Sequence, residues 1–139
     1  MKIKILIPVY NDWQSVSQLI EEINELKISQ EFQISIIVVD DASTYDRQDE
    51  NKILENIYSI KILCMKVNQG PARCIATGLK YIFEKEDFDY VIPMDGDGED
   101  RPEEIKGLIN QIQNSDDKPI IGERIKRSEN LIFQTCYQL

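Results

Sequence analysis

No histidine occurs anywhere in the chain. That absence removes Ser-His and Cys-His nucleophile systems, histidine metal sites and histidine general bases together, so any acid–base chemistry falls to carboxylates. Cysteine is sparse as well: Cys64, Cys74 and Cys136 make an odd count without CxxC spacing. Neither a disulfide framework nor a zinc site is indicated, and reduced thiols fit a cytoplasmic protein. Positive charge is short too. Sixteen Lys and Arg against 25 Asp and Glu leave a net charge of -9, with no long cationic stripe, which argues against nucleic acid as a partner. No apolar run approaches the ~20 residues of a membrane span, and Met1 leads straight into a charged strand with no signal-peptide layout. The glycine-rich phosphate motifs G-x-G-x-x-G and G-x-x-x-x-G-K-[ST] are both missing, so neither a dinucleotide oxidoreductase nor a P-loop NTPase is supported.

What remains is 139 residues, 42% of them hydrophobic, enough for one globular domain with a real core over residues 1–139. Short β-type runs alternate with segments of helical period, the signature of an α/β fold with a mostly parallel sheet and crossover helices. Five strands are expected, at Ile3–Ile7, Ile34–Val39, Ile60–Val67, Tyr90–Met94 and Pro119–Ile121. A helix carries Val16, Leu19, Ile20, Ile23 and Leu26 behind an Asn11 or Asp12 cap. A weaker one lies near Ile53, Leu54 and Ile57. After Gly70-Pro71 a third presents Ala72, Ile75, Ala76, Leu79, Ile82 and Phe83 on one face. Asp100 and Glu103 form a capping-box pair around Pro102, before a helix faced by Ile105, Leu108, Ile109 and Ile112. Pro93 cannot donate to a ladder, so an irregularity is expected there. Ser128–Leu139 has helical spacing and no cap or return strand after it, which reads as a truncated chain.

The richest chemistry lies in Tyr90-Val-Ile-Pro-Met-Asp95-Gly-Asp97-Gly-Glu99-Asp100, where an apolar run opens into carboxylates separated by glycines. On an extended backbone Asp95, Asp97 and Glu99 share one side, and Gly96 and Gly98 let the chain fold around an ion. Hard oxygen ligands suit Mg, Mn or Ca. A solvated acidic turn is the plainer alternative. An EF-hand loop is excluded, since its sixth position would be Asp100 where Gly is needed, its twelfth Lys106 where Glu is needed, and Pro102 falls inside it.

In open parallel sheets ligands bind beyond the carboxyl ends of the strands. Here those ends read Pro8-Val-Tyr10-Asn11-Asp12, Asp40-Asp41-Ala-Ser43-Thr44, Asn68-Gln-Gly70-Pro71 and the acidic run. Asp40 and Asp41 could instead cap a helix, and Asn68-Gln-Gly70 could be a plain turn. Gly70 permits close backbone approach, and the helix start behind it favours an anion. Arg124, Lys126 and Arg127 follow the fifth strand and could face the same edge or form a solvated basic turn.

Taken together these segments resemble the amino-terminal half of a family 2 glycosyltransferase of GT-A fold, nearest the polyprenyl-phosphate and dolichyl-phosphate glycosyltransferases. Ile7-Pro8-Val9-Tyr10-Asn11-Asp12 resembles the family's P-V-Y-N-E, and Val38-Val39-Asp40-Asp41-Ala42-Ser43-Thr44 its V-D-D-G-S-T. Asn68, Gly70, Gly78 and Leu79 keep its N-x-G and G-L spacing, and Met94-Asp95-Gly96-Asp97 with Glu99, Asp100 and Pro102 resembles M-D-A-D-L-Q-D-P-P-E. The resemblance implies a Rossmann-like, metal-dependent enzyme that moves a sugar from a UDP- or GDP-linked donor to a polyprenyl-phosphate or saccharide acceptor. It places Pro8, Asp12 and Asp41 at the nucleotide base and ribose, with Tyr10, Ser43, Asn68 and Gly70 on the same rim and Asp40 in support. Asp95, Asp97 and Glu99 would hold Mg or Mn on the diphosphate, and Arg124 of Gly122-Glu123-Arg124 would face the phosphates. It also implies work at the cytoplasmic face of a membrane, and a homodimer is allowed.

The departures are specific: Asp12 for Glu, Glu99 for Gln, Ala42 for Gly, and Ile75 where some relatives carry arginine. The family's acceptor-binding half would lie beyond Leu139, and no catalytic base is assigned. The rival reading is a non-catalytic nucleotide-sugar binding module or truncated remnant. A sugar-1-phosphate nucleotidyltransferase would need a Gly-rich, Arg-containing opening loop where this chain has Pro8-Val-Tyr-Asn.

Overall fold

Isoleucine and valine dominate two eight-residue strands, β1 (Lys2–Val9) and β2 (Gln33–Asp40), whose side chains are buried almost without interruption. That pattern belongs to parallel strands covered on both faces. In the computed structural model, which describes residues 1–45, 54–114 and 120, β1 pairs in parallel with β2 from Lys2↔Gln33 to Val9↔Asp40. β3 (Ser59–Cys64) pairs with β2, and β4 (Tyr90–Pro93) with β1, giving the order β3-β2-β1-β4. The chain divides into two compact units, Met1–Lys106 and Gly107–Leu139, and the sheet belongs to the first.

Helix α1 (Trp13–Glu25) starts at Asp12, whose Oδ1 accepts from Ser15 N–H at 3.3 Å. It buries Val16, Leu19 and Ile23, and it packs on β1. Helix α2 (Pro71–Lys85) packs on β1 and β2. A Cβ added at Gly78 would lie 2.3 Å from Leu6 Cδ1 and 3.0 Å from Val39 Cγ2, so that glycine lets the helix settle onto the face made by Leu6, Ile37 and Val39. Val16 of α1 and Ile7 both stand beside Gly96, and Ile7 points to the face opposite Leu6, so the two helices cover the sheet from both sides.

The buried stripe of α2 is Cys74, Gly78 and Ile82, with Ile75 and Tyr81 partly covered. This corrects the expected face: Ala72, Ala76, Leu79 and Phe83 are exposed, because close approach to the sheet selects the small residues rather than the large apolar ones. β3 stops at Cys64, three residues before the expected end. Leu54–Ile57 is not helical; Asn56 N–H donates to Asn24 Oδ1 at 3.0 Å and its Nδ2 donates to Asn24 O at 2.7 Å, so the segment is tied to the end of α1. Ile53 lies outside the described residues, as does the proposed fifth strand apart from Ile120, and the segment Ser128–Leu139.

No irregularity accompanies Pro93. Met94 N–H donates to Leu6 O at 2.9 Å, so alternation turns the nitrogen of Pro93 away from β1, and among the described residues β4 is an edge strand. A proline is tolerated there. Helix α3 (Glu104–Asn114) buries Ile105, Ile109 and Ile112 as its spacing predicts. Its start differs from the expected capping box. Glu104, Ile105 and Lys106 donate to the carbonyls of Arg101, Pro102 and Glu103, while the Asp100 carboxylate turns back to accept from Asp95 N–H at 2.9 Å.

Candidate functional site

β2 and β3 lie on one side of β1 and β4 on the other, so the chain reverses direction across the sheet between β1 and β4. A crevice beyond the carboxyl ends of strands forms at such a reversal. The loop after β4 enters it tightly. A Cβ at Gly96 would lie 2.9 Å from Val16 Cγ2, 3.0 Å from Pro8 O and 3.2 Å from Ile7 Cγ2, so only glycine lets this loop sit against the end of β1 and the start of α1. Gly96 and Asp97 form a turn, and Gly98 follows with φ +83. Asp97 Oδ1 accepts from Glu99 N–H at 2.9 Å. The turn replaces the extended backbone on which alternate carboxylates would align. Among the described residues no group of three or more acidic or sulfur side chains is gathered closely enough to hold a metal by itself. Asp95, Asp97 and Glu99 are nonetheless exposed hard-oxygen donors on one short loop. They suit an ion that takes part of its shell from the protein and the rest from ligand oxygens, as Mg does with phosphates.

Beside this loop the ends of β1 and β2 are fastened to each other. Asn11 N–H donates to Ser43 Oγ at 2.9 Å, and Asn11 Oδ1 accepts from Thr44 N–H at 2.7 Å, Thr44 Oγ1 at 3.2 Å and Tyr45 N–H at 3.3 Å. Ser43 N–H in turn donates to Asp40 Oδ1 at 2.9 Å. Both loops are held in left-handed backbone, Asn11 at φ 55 and Ala42 at φ 59. Asparagine visits that region readily; alanine does so at a cost of roughly 1–2 kcal/mol. Tyr10 and Tyr45 stand exposed on either side of this junction.

Asp41 serves the next loop. It is 3% exposed, and its two oxygens accept from Gln69 N–H at 2.8 Å and Gly70 N–H at 2.7 Å. Gly70 has φ 86 and ψ 163, a conformation open essentially to glycine alone, and it precedes Pro71 at the first turn of α2. Burial first and the neighbouring Asp41 carboxylate second push the thiol of Cys74, one turn into that helix, up to about 11, so it stays protonated. Asp41 therefore caps a loop rather than the helix that would follow β2.

The structure thus brings Pro8, Tyr10, Asp12, Asp40, Asp41, Ser43, Gly70, Asp95 and Asp97 to the carboxyl ends of the strands, with Asn68 exposed one residue before the Asp41 cap. Arg124, Lys126 and Arg127 lie outside the described residues. Sequence reasoning read Asn11 as a possible helix cap and part of a strand end, not as the tie to the β2 loop, and read Gly96 as a turn around an ion, not as a close approach to β1; the place of Cys74 beside Asp41 left no signal.

The model of the family described as "Glycosyl transferase family 2" matches residues 4–135. The undecaprenyl-phosphate 4-deoxy-4-formamido-L-arabinose transferase of Proteus mirabilis is 29% identical over 138 residues, covering 96% of this chain and 40% of that protein. The dolichol-phosphate mannosyltransferase of Pyrococcus furiosus is 28% identical over 126 residues, covering 91% of this chain and 34% of that one. Residues 1–349 of S. aureus TarS, solved in complex with UDP-GlcNAc, superpose with a TM-score of 0.62 at 22% identity, over 82% of this chain and 32% of that one; this likeness is one of fold. The chain spans half or less of the length of these proteins.

Proposed function

The chain belongs to glycosyl transferase family 2, and on that premise we propose that it binds a nucleotide-diphospho-sugar at the carboxyl edge of its sheet and serves transfer of the sugar to a lipid-phosphate or saccharide acceptor. The observation that carries this reading is the fastening of the strand-end loops to one another, through Asn11, Asp40 and Asp41, around a rim of exposed carboxylates and tyrosines. A rigid polar rim at the strand reversal is where an α/β sheet holds a nucleotide. The names of the similar proteins support a polyprenyl-phosphate acceptor, and the ligand of the TarS structure supports a UDP-linked donor.

Pro8, Tyr10 and Asp12 flank the nucleoside in this reading, Tyr10 offering an exposed ring for stacking. Asp40 and Ser43 shape the turn beside it, and Asp41 holds Asn68, Gln69 and Gly70 in place. Asp95, Asp97 and Glu99 would hold Mg or Mn. When bound, that ion neutralises charge on the departing nucleoside diphosphate. Transfer forms a bond from an acceptor oxygen to the anomeric carbon and breaks the bond from that carbon to the diphosphate. Arg124 is assigned to the phosphates by its place in the sequence. No helix among the described residues is long and apolar enough to cross a membrane, and we place the protein at a cytoplasmic membrane surface where a lipid-phosphate acceptor would lie.

Incubating the chain with radiolabelled UDP- and GDP-sugars, Mn and a polyprenyl phosphate tests the reading. Binding of the labelled donor is the expected result, and label in the lipid fraction would establish transfer by this chain. Nucleotide binding without label transfer or donor hydrolysis would favour a non-catalytic binding module, and no nucleotide binding at all would defeat both.

A further inference from the structure

Asn11 divides its carboxamide between the protein and the site. Among the described residues its three side-chain hydrogen bonds all enter through Oδ1, two of them from backbone N–H groups of Thr44 and Tyr45. Backbone N–H can only donate, so these partners fix which end of the amide is oxygen. The two hydrogens of Nδ2 point away from the Thr44–Tyr45 turn. No described residue accepts from them, and among the described residues no buried side-chain nitrogen or oxygen lacks a partner, so Nδ2 of this half-buried residue meets solvent. Asn11 lies between exposed Tyr10 and the cap residue Asp12, just past the carboxyl end of β1.

We propose that Asn11 is a specificity-determining residue, its Oδ1 locking the β2 loop while its Nδ2 donates to a carbonyl or hydroxyl oxygen of the bound nucleoside. This rests on the nucleotide-binding reading above. The nucleoside rather than the diphosphate is assigned because Asp12, Asp40 and Asp41 surround the junction and disfavour a second anion, whereas a neutral acceptor oxygen meets no such repulsion. At that junction Thr44 Oγ1 spends its hydrogen on Asn11 Oδ1, whereas Asn11 keeps both Nδ2 hydrogens, and its three Oδ1 bonds hold the amide in one orientation. An amide so fixed loses little freedom when it bonds a ligand.

The discriminating variant is Asn11→Asp. An aspartate tolerates the same backbone and its oxygen accepts the same three bonds, but it has no outward donor. Asn11→Asp should therefore unfold at a higher temperature than Asn11→Ala, and below the wild type because its added carboxylate stands beside Asp12 and Asp40. Calorimetry with UDP, GDP, uridine and guanosine should show Asn11→Asp weakened on the order of tenfold toward the preferred diphosphate and toward its uncharged nucleoside alike. Unchanged affinity would overturn the proposal. A loss confined to the diphosphate would overturn it too, since that is charge repulsion. On the unmodified chain, the Asn11 side-chain NH2 resonance should shift and exchange more slowly with water when the nucleoside is added; an unmoved resonance would count against the proposal even if the aspartate variant failed to fold. Absence of any nucleotide binding by the wild-type chain would remove the functional reading itself, and this inference with it.

Discussion

The two ends of the sheet treat their carboxylates in opposite ways. At the amino end the acids meet lysine side chains: Glu86 bonds Lys4 at 3.1 Å and also Lys61, and Asp87 bonds Lys2. At the carboxyl end the side-chain oxygens of Asp12, Asp40, Asp41, Asp97 and Asp100 accept from backbone N–H groups. A backbone N–H holds a carboxylate in place without neutralising it. One end is thus electrostatically closed, while at the other end Asp12, Asp40, Asp41, Asp97 and Asp100 are oriented by backbone donors that bring no positive charge. The first arrangement serves stability; the second suits a cation brought in with a ligand.

The largest expected effect breaks the closed end. The side chains of Lys4 and Glu86 are each 9% exposed, so Glu86→Gln leaves a buried ammonium without its counter-ion and should destabilise the fold by about 3 kcal/mol, read by urea unfolding. Nucleotide affinity should not move. Gly96→Ala should cost roughly 1–3 kcal/mol, because backbone oxygen of Pro8 stands in the way of the new methyl, and it should weaken nucleotide binding in addition. Asp41→Asn should lose about 1–2 kcal/mol, since an amide presents one acceptor where Gln69 and Gly70 need two. If it left stability intact and altered only base preference, Asp41 would read the base directly and its capping role would be secondary.

The smallest effect concerns acid. The hydrogen bond from Lys61, then that from Lys4, hold the Glu86 carboxyl below its ordinary 4.5 in the folded chain. A carboxylate whose folded value is depressed adds stability above the unfolded value and loses it as pH falls through the folded one. Unfolding followed from pH 6 down to about pH 3 should therefore steepen below about 4.5, and the slope should be shallower in Glu86→Gln, with Asp87 and its Lys2 partner supplying part of the remainder.

How far the sequence discloses this molecule follows from the range of the interactions. β1, β2 and their parallel pairing are legible because burial on both faces demands unbroken Ile and Val runs. The face of α2 is misread because periodicity registers apolar character, whereas packing against Leu6 and Val39 requires the small Cys74 and Gly78. Pro93 seems out of place only until β4 is known to be an edge strand among the described residues. The strand-end residues are legible as a set, since topology gathers them whatever their partners. Their bonds are not: Asn11 to Thr44 spans 33 positions and Asp41 to Gly70 spans 29, and no local pattern reports such pairs.

The central proposal is that a divalent cation and a nucleoside diphosphate bind together at the carboxyl end, where Asp95, Asp97 and Glu99 would hold the ion. Calorimetric titration of UDP and GDP into the chain with Mn, and again with a chelator, tests it most directly when Asp97→Asn is run beside the wild type. The account predicts binding that depends on Mn in the wild-type chain and a dependence that largely disappears in Asp97→Asn. Equal affinity with Mn and with chelator in the wild-type chain would contradict it.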